Sequence, residues 1–217
     1  AMVLQPMQVT EEDHLNQTTR VTTNGYDPQT GKLLQTEEVS QITGSQNFIT
    51  RTRTTFTYNV VTLPNGVQSY RKNSESTVSE MAGSAPGVTA NHLTRYNYTD
   101  GRLSRITNSD NSGFSDTLTY TYNNKGLLIT KQHKAANCAT EATHYEYDGT
   151  NRFVTSKSND YFTEFTRTYD NTTGNVLTET DANGLTTSYQ YDAFGRPVTE
   201  LSPDGIMTET SFEWCSS

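Results

Sequence analysis

Apolar residues along this 217-residue chain come in short alternating runs and are never massed. Between residues 176 and 214 the chain reads VLTET, DANG, LTTSYQY, DAFG, RPVTEL, SPDG, IMTETSFEW. Stretches rich in Thr, Val and Tyr alternate with four-residue stretches that open on Asp or Ser and close on Gly. The first kind predicts strands, because β-branched and aromatic side chains fit a pleated surface. The second kind predicts tight turns: the Asp carboxylate bonds the backbone two residues on, and Gly tolerates positive φ. Strands joined by such turns predict consecutive antiparallel hairpins. Side chains alternate faces along a strand. Thr187, Tyr189 and Tyr191 therefore share a face, as do Ile206, Thr208, Thr210, Phe212 and Trp214. Tyr161, Phe165 and Tyr169 fall in phase, as do Phe56 with Tyr58 and Tyr96 with Tyr98.

The hairpin grammar recurs. Aligned on an anchor tyrosine, the chain reads YNYTDGRLSRI at Tyr98, YTYNNKGLLIT at Tyr122, YEYDGTNRFVT at Tyr147, RTYDNTTGNVLTE at Tyr169 and YQYDAFGRPVTE at Tyr191. Phe212 occupies the next such position, and looser copies anchor at Tyr26 and Tyr58. A fixed period of this size predicts a stacked repeat in which each unit packs mainly on its neighbours.

Tyr-Asp-x-x-Gly-Arg at this period resembles the YD repeat of the Rhs family, most clearly in YEYDGTNRFVTSKSN, RTYDNTTGNVLTETDANG and YQYDAFGRPVTELSPDG. The resemblance covers 94–217 strongly and 1–93 as degenerate copies. Residues 74–92 fit no unit and are expected to be a loop or insertion. Tyr98 and Tyr122 are followed by Thr99 and Asn123 in place of Asp. The resemblance implies an all-β fold: stacked antiparallel hairpins in a curved open array, a segment of an Rhs-type β-shell. In bacterial members such a shell encloses a toxic C-terminal domain, so the resemblance implies a secreted or surface protein. It also implies that the repeats are wall, with the rest of the chain and an effector as partners. The family's self-cleaving core carries a DPxG-type motif. Here SPDG (202–205) and YDPQTG (26–31) read as ordinary turns.

Composition fits an all-β chain with a thin interior: 31% apolar residues, mean hydropathy −0.75, and only 18% charged. Thr supplies 39 residues and Tyr 13. A net charge of −8 and a pI near 5.0 speak against nucleic acid and against anionic membranes as partners. The chain has no apolar run long enough for a transmembrane helix, and no signal peptide is visible. Ala1-Met2 reads as a cloning remnant, and the chain as a fragment of a longer one.

Candidate chemistry is sparse, and no catalytic, cofactor or metal residue is assigned. His14, His92, His133 and His144 lack metal-ligand spacing, and no nucleophile elbow or phosphate loop occurs. Glu11-Glu12 and Glu37-Glu38 are adjacent, so in a strand each pair points to opposite faces. SDNSG (109–113) is the best calcium candidate, yet turn chemistry alone explains it. Cys138 and Cys215 read as two free thiols, or as one bridge. NQT (16–18), NYT (97–99) and NTT (171–173) are sequons that chance supplies in a Thr-rich chain. Tyrosines stacked at a fixed period fill a repeat's interior; the alternative is a surface module that stacks them on glycans or binds a neighbouring cell.

Overall fold

The computed structural model describes residues 7–44, 48–63, 65–82 and 90–213. Every regular element in them is a strand, hydrogen-bonded to its sequence neighbours without a crossover. All the strand pairs are antiparallel. The architecture is therefore an all-β meander of hairpins that does not close, as the turn-and-strand grammar predicts.

The chain divides into two compact units, Ala1–Leu118 with Lys134–Cys138, and Thr119–His133 with Ala139–Ser217. The first holds β1 (Gln8–Asp13), β2 (Thr18–Tyr26), β3 (Leu33–Ile42), β4 (Phe48–Thr62), β5 (Gln68–Met81), β6 (Ala90–Thr99) and β7 (Arg102–Asp110). The division runs through β8 (Ser115–Tyr122) and β9 (Leu128–Ala135). The second holds β10 (Glu141–Tyr147), β11 (Val154–Asn159), β12 (Thr163–Tyr169), β13 (Val176–Asp181), β14 (Thr186–Tyr191), β15 (Pro197–Leu201) and β16 (Met207–Glu209).

Neither unit rests on an apolar core. Among the described residues only Ala142 is a buried apolar side chain, Thr19 and Thr94 are the buried polar ones, and none is fully buried. The fold is held by its backbone ladders and by side chains paired across them. Threonine is the chief supplier. Thr52 bonds Ser79 at 3.1 Å and Thr54 bonds Thr77 at 3.0 Å across β4 and β5. Thr168 bonds Thr178 at 2.6 Å and Thr180 bonds Thr186 at 2.8 Å in the second unit. Each pair sits directly opposite in register, where such pairs contribute ~0.2–1 kcal/mol.

Three expectations are corrected. Residues 74–81 are not loop: they complete β5, with Thr77 opposite Thr54 and Met81 opposite Thr50. Residues 90–92 open β6, and 83–89 lie outside the described residues. The β-branched alternation of STVSEM finds its partner in the unusually long β4, which the repeat grammar has no means of supplying. Tyr161 does not share a strand face with Phe165; it sits in the turn before β12, 81% exposed. The last strand stops at Glu209, so Ile206 and Phe212 lie beyond its ends and are exposed. Trp214 and Cys215 lie outside the described residues.

Candidate functional site: the tyrosine–aspartate seam

The repeated residues meet in one arrangement. At six anchors the strand register slips just before the tyrosine: Tyr26, Tyr58, Tyr98, Tyr147, Tyr169 and Tyr191. The extra residue always lies on the following strand, at Leu34, Asn73, Ser104, Thr155, Leu177 and Val198. A bulge of this kind bends the strand and increases its twist. It also ends backbone pairing early between one hairpin and the next, which leaves carbonyls to be satisfied.

The anchor hydroxyl satisfies one of them. Tyr58 donates to the Leu33 carbonyl at 2.9 Å, Tyr98 to Lys72 at 3.1 Å, Tyr147 to Leu128 at 2.9 Å and Tyr169 to Val154 at 2.7 Å. In each case the ladder to the preceding strand stops two residues short of that carbonyl, at Gln35, Ser74, Thr130 and Ser156. The accepting residue is also the register partner of the previous anchor: Leu33 of Tyr26, Lys72 of Tyr58, Val154 of Tyr147. One tyrosine thus closes its own hairpin and bolts it to the hairpin before. Burial raises the pKa of Tyr98, Tyr147, Tyr189 and Tyr191 above the usual value, which keeps these hydroxyls protonated.

The residue after the anchor ends the strand. Asp27 accepts the amides of Gln29 and Thr30, Asp170 those of Thr172 and Thr173, and Asp192 those of Phe194 and Arg196. Asn123, standing where Asp is usual, does the same for Lys125 and Leu127. Asp148 accepts the Thr150 hydroxyl and the amides of Phe153, Arg152 and Thr150. These bonds hold its carboxyl far below the usual range, the Thr150 hydroxyl foremost. The Thr30 amide lowers Asp27 and the Thr173 amide lowers Asp170. Where Thr99 follows the anchor, Asp100 and Gly101 turn instead, both at positive φ. At Tyr58 the hairpin runs on, and Asn59 pairs with Arg71.

Neighbouring turns pack on one another within each unit. Phe153 stacks on Tyr169 at 4.9 Å and lies so close to Gly174 that a Cβ there meets its ring at 2.7 Å. Asn123 donates to Asn151 at 3.1 Å, and Arg152 to the Asn171 carbonyl at 2.7 Å. Cations cover the rings: Lys72 lies 4.8 Å over Phe56 and Arg167 4.1 Å over Phe165. Arg167 also bonds Glu179 at 2.6 Å.

The other candidates are taken up by structure or stay apart. Asp110 of SDNSG accepts the amides of Ser112 and Phe114, and no group of three metal-ligating side chains occurs among the described residues. His92 meets the Thr94 hydroxyl at 3.3 Å, His144 meets Asp160 at 3.4 Å, His14 sits beside Glu12 at 4.0 Å, and His133 lies in β9. Glu37 faces Arg51 and Arg53 while Glu38 faces Arg20; Glu11 faces Arg20 too. Cys138 is exposed.

Residues 169–207 match the family model of the RHS repeat. That segment, two anchors with their bulges and turns, matches as an Rhs (YD) repeat. No curated protein sequence matches the chain. Among solved structures it is similar to a chain of the TcdB2-TccC3 complex, with 12% identity, a TM-score of 0.45 and coverage of 97% of this chain but 14% of that one. A porin-like protein from Bacteroides uniformis matches at 14% identity with a TM-score of 0.33, covering 89% of this chain and 85% of that one.

Proposed function

We propose that the chain is a wall segment of an Rhs-type β-shell in a secreted or surface-exposed bacterial toxin-like protein. The shell encloses an effector carried C-terminally in the same polypeptide. The observation that carries this reading is where the repeated chemistry goes. Anchor hydroxyls are taken up by backbone carbonyls and turn carboxylates by backbone amides. Residues that look like reactive groups in the sequence act as fasteners, so the segment encloses and does no chemistry. Residues 1–93 belong to the same array as degenerate copies, a reading supported by the bulges at Tyr26 and Tyr58.

The test begins with the native reading frame after Ser217. Further YD units, a DPxG-containing core and an unrelated terminal domain are expected. The full-length protein then shields that terminal domain from protease until the shell is opened by denaturant. A frame that ends in a surface anchor with no payload, or a terminal domain cut as fast inside the protein as outside it, overturns the proposal.

A further inference from the structure

We infer that the face of β5–β7 opposite the tyrosines binds an acidic polysaccharide, one carrying sulfate or uronate groups along its length. From Arg20 on Glu38 to Arg196 on Asp192, the arginines outside these strands hold an acceptor. Arg71, Arg95, Arg102 and Arg105 make no ion pair or hydrogen bond through their side chains among the described residues, and the Arg71 Nε is out of reach of water.

Register places all four on one face. Arg71 is opposite Asn59, Arg95 opposite Ser74 and Thr107, Arg105 opposite Asn97, and Arg102 opposite Thr99. The anchor pairs Tyr58–Lys72 and Tyr98–Leu103 alternate onto the other face. The bulged Ser104 keeps Arg102 and Arg105 in phase although they are three apart. Adjacent strands lie ~4.8 Å apart and residues ~3.3 Å apart along each, so the four arginine positions spread over about 10 Å across the strands and about 13 Å along them. The nearby carboxylate of Glu75 is held by Lys72 at 3.0 Å, and Asp100 makes no ion pair among the described residues. In a chain of net charge −8, this is an uncompensated cationic field, and guanidinium groups suit sulfate and carboxylate oxygens.

The surroundings choose among polyanions. Between the arginines lie amides and hydroxyls: Asn73 bonds Asn59 at 2.9 Å and Thr57 at 3.2 Å, and Thr57 bonds Ser74 at 2.7 Å. Such groups match sugar hydroxyls. The rings that stack nucleobases are on the opposite face, which disfavours single-stranded nucleic acid. Membrane binding is strengthened where apolar side chains insert beside the cations, and this patch is polar.

The test uses heparin as probe, with neutral dextran, duplex DNA and phosphatidylserine-containing vesicles as comparisons, against the whole 217-residue chain. Calorimetry is expected to show heparin binding at low salt that fades toward ~0.5 M salt as charges are screened, and none to dextran. Arg→Gln at Arg71, Arg95, Arg102 or Arg105 lowers heparin affinity about threefold each, and all four together about a hundredfold. R152Q, on the second unit, leaves it unchanged. If R71Q lowers the melting temperature, the exposed positions 95, 102 and 105 decide the outcome without it. Unchanged heparin affinity in the R95Q/R102Q/R105Q chain overturns the inference, as does absent binding at low salt or tighter binding to DNA or vesicles. This outcome does not depend on whether the array encloses an effector.

Discussion

Replacing Tyr147 by Phe isolates the bolt between hairpins. The substitution keeps the ring and deletes the hydroxyl that donates to the Leu128 carbonyl at 2.9 Å. That carbonyl lies two residues beyond the last β9–β10 pair, Thr130 with His144, so no backbone amide of β10 replaces the lost donor. A net hydrogen bond contributes ~0.5–1.5 kcal/mol, and a buried acceptor left bare costs ~1–3 kcal/mol. The site is half-buried, so about 1 kcal/mol is expected, or a fall of roughly 2–4 °C in melting temperature for a chain of this size. Tyr147→Ala also removes the ring and costs about 3 kcal/mol, the low end for aromatic truncation. Urea unfolding followed by circular dichroism measures both, with Tyr161→Phe as the control. Tyr161 is 81% exposed, and its variant is expected within ~0.5 kcal/mol of the parent. Amide exchange at Thr130 and His144 accelerates in Tyr147→Phe and not in the control. If Tyr147→Phe is as stable as Tyr161→Phe and those amides exchange at the parental rate, the hydroxyl fastens nothing and the hairpins are held by their ladders alone.

Gly174→Ala places a Cβ both at φ +80° and 2.7 Å from the Phe153 ring, whereas Gly184→Ala meets the strained φ of +78° alone. The first is expected to cost more than the second, which carries only the ~1–2 kcal/mol of left-handed strain; equal losses refute the Phe153 contact. Asp27, Asp148 and Asp170 have folded pKa values below the unfolded 3.8. Their stabilisation is present above about pH 4 and lost as pH falls through the folded values. Melting between pH 5 and 2 is expected to show this, with a shallower slope in Asp170→Asn, which keeps the acceptor without titrating; an unchanged slope counts against it. The anchors act at the other end: Tyr98, Tyr147 and Tyr191 have pKa values raised above 10.0. Their stabilisation is present below pH 10 and lost above it, and tyrosinate absorbance rising well before unfolding would contradict the burial that raises them. A double-mutant cycle on Arg167 and Glu179 is expected to give no more than ~1 kcal/mol, because both side chains are about a third exposed.

What the sequence disclosed and what it hid have one physical cause. Turns and strands are local: a carboxylate bonding an amide two residues on, a Gly at positive φ and a two-residue alternation all act within a few positions. The Asp170 and Asp192 turns, the Tyr189–Tyr191 face and the hairpin order are legible for that reason. The hydroxyl–carbonyl bonds join residues 15 to 26 positions apart, and no short-range rule foretells them. A trace is nonetheless present. The anchor is Tyr at 26, 58, 98, 122, 147, 169 and 191, while two residues earlier the chain carries Asn24, Phe56, Tyr96, Tyr120, Tyr145, Arg167 and Tyr189. A position that merely fills space accepts Phe, as at Phe212, which lies beyond the last strand; within the strands the anchor keeps its hydroxyl while its neighbour varies, and is holding a partner. The departures follow the same logic. Residues 74–81 and 90–92 read as insertion because their partners belong to β4 and β5, in a hairpin that runs on to Thr62 where the other hairpins turn. Arg71, Arg95, Arg102 and Arg105 are scattered in sequence, and only the register of three strands gathers them. The repeat therefore presents two surfaces, one whose polar groups are consumed in fastening hairpins together, and one where four charges are left over for something outside the chain.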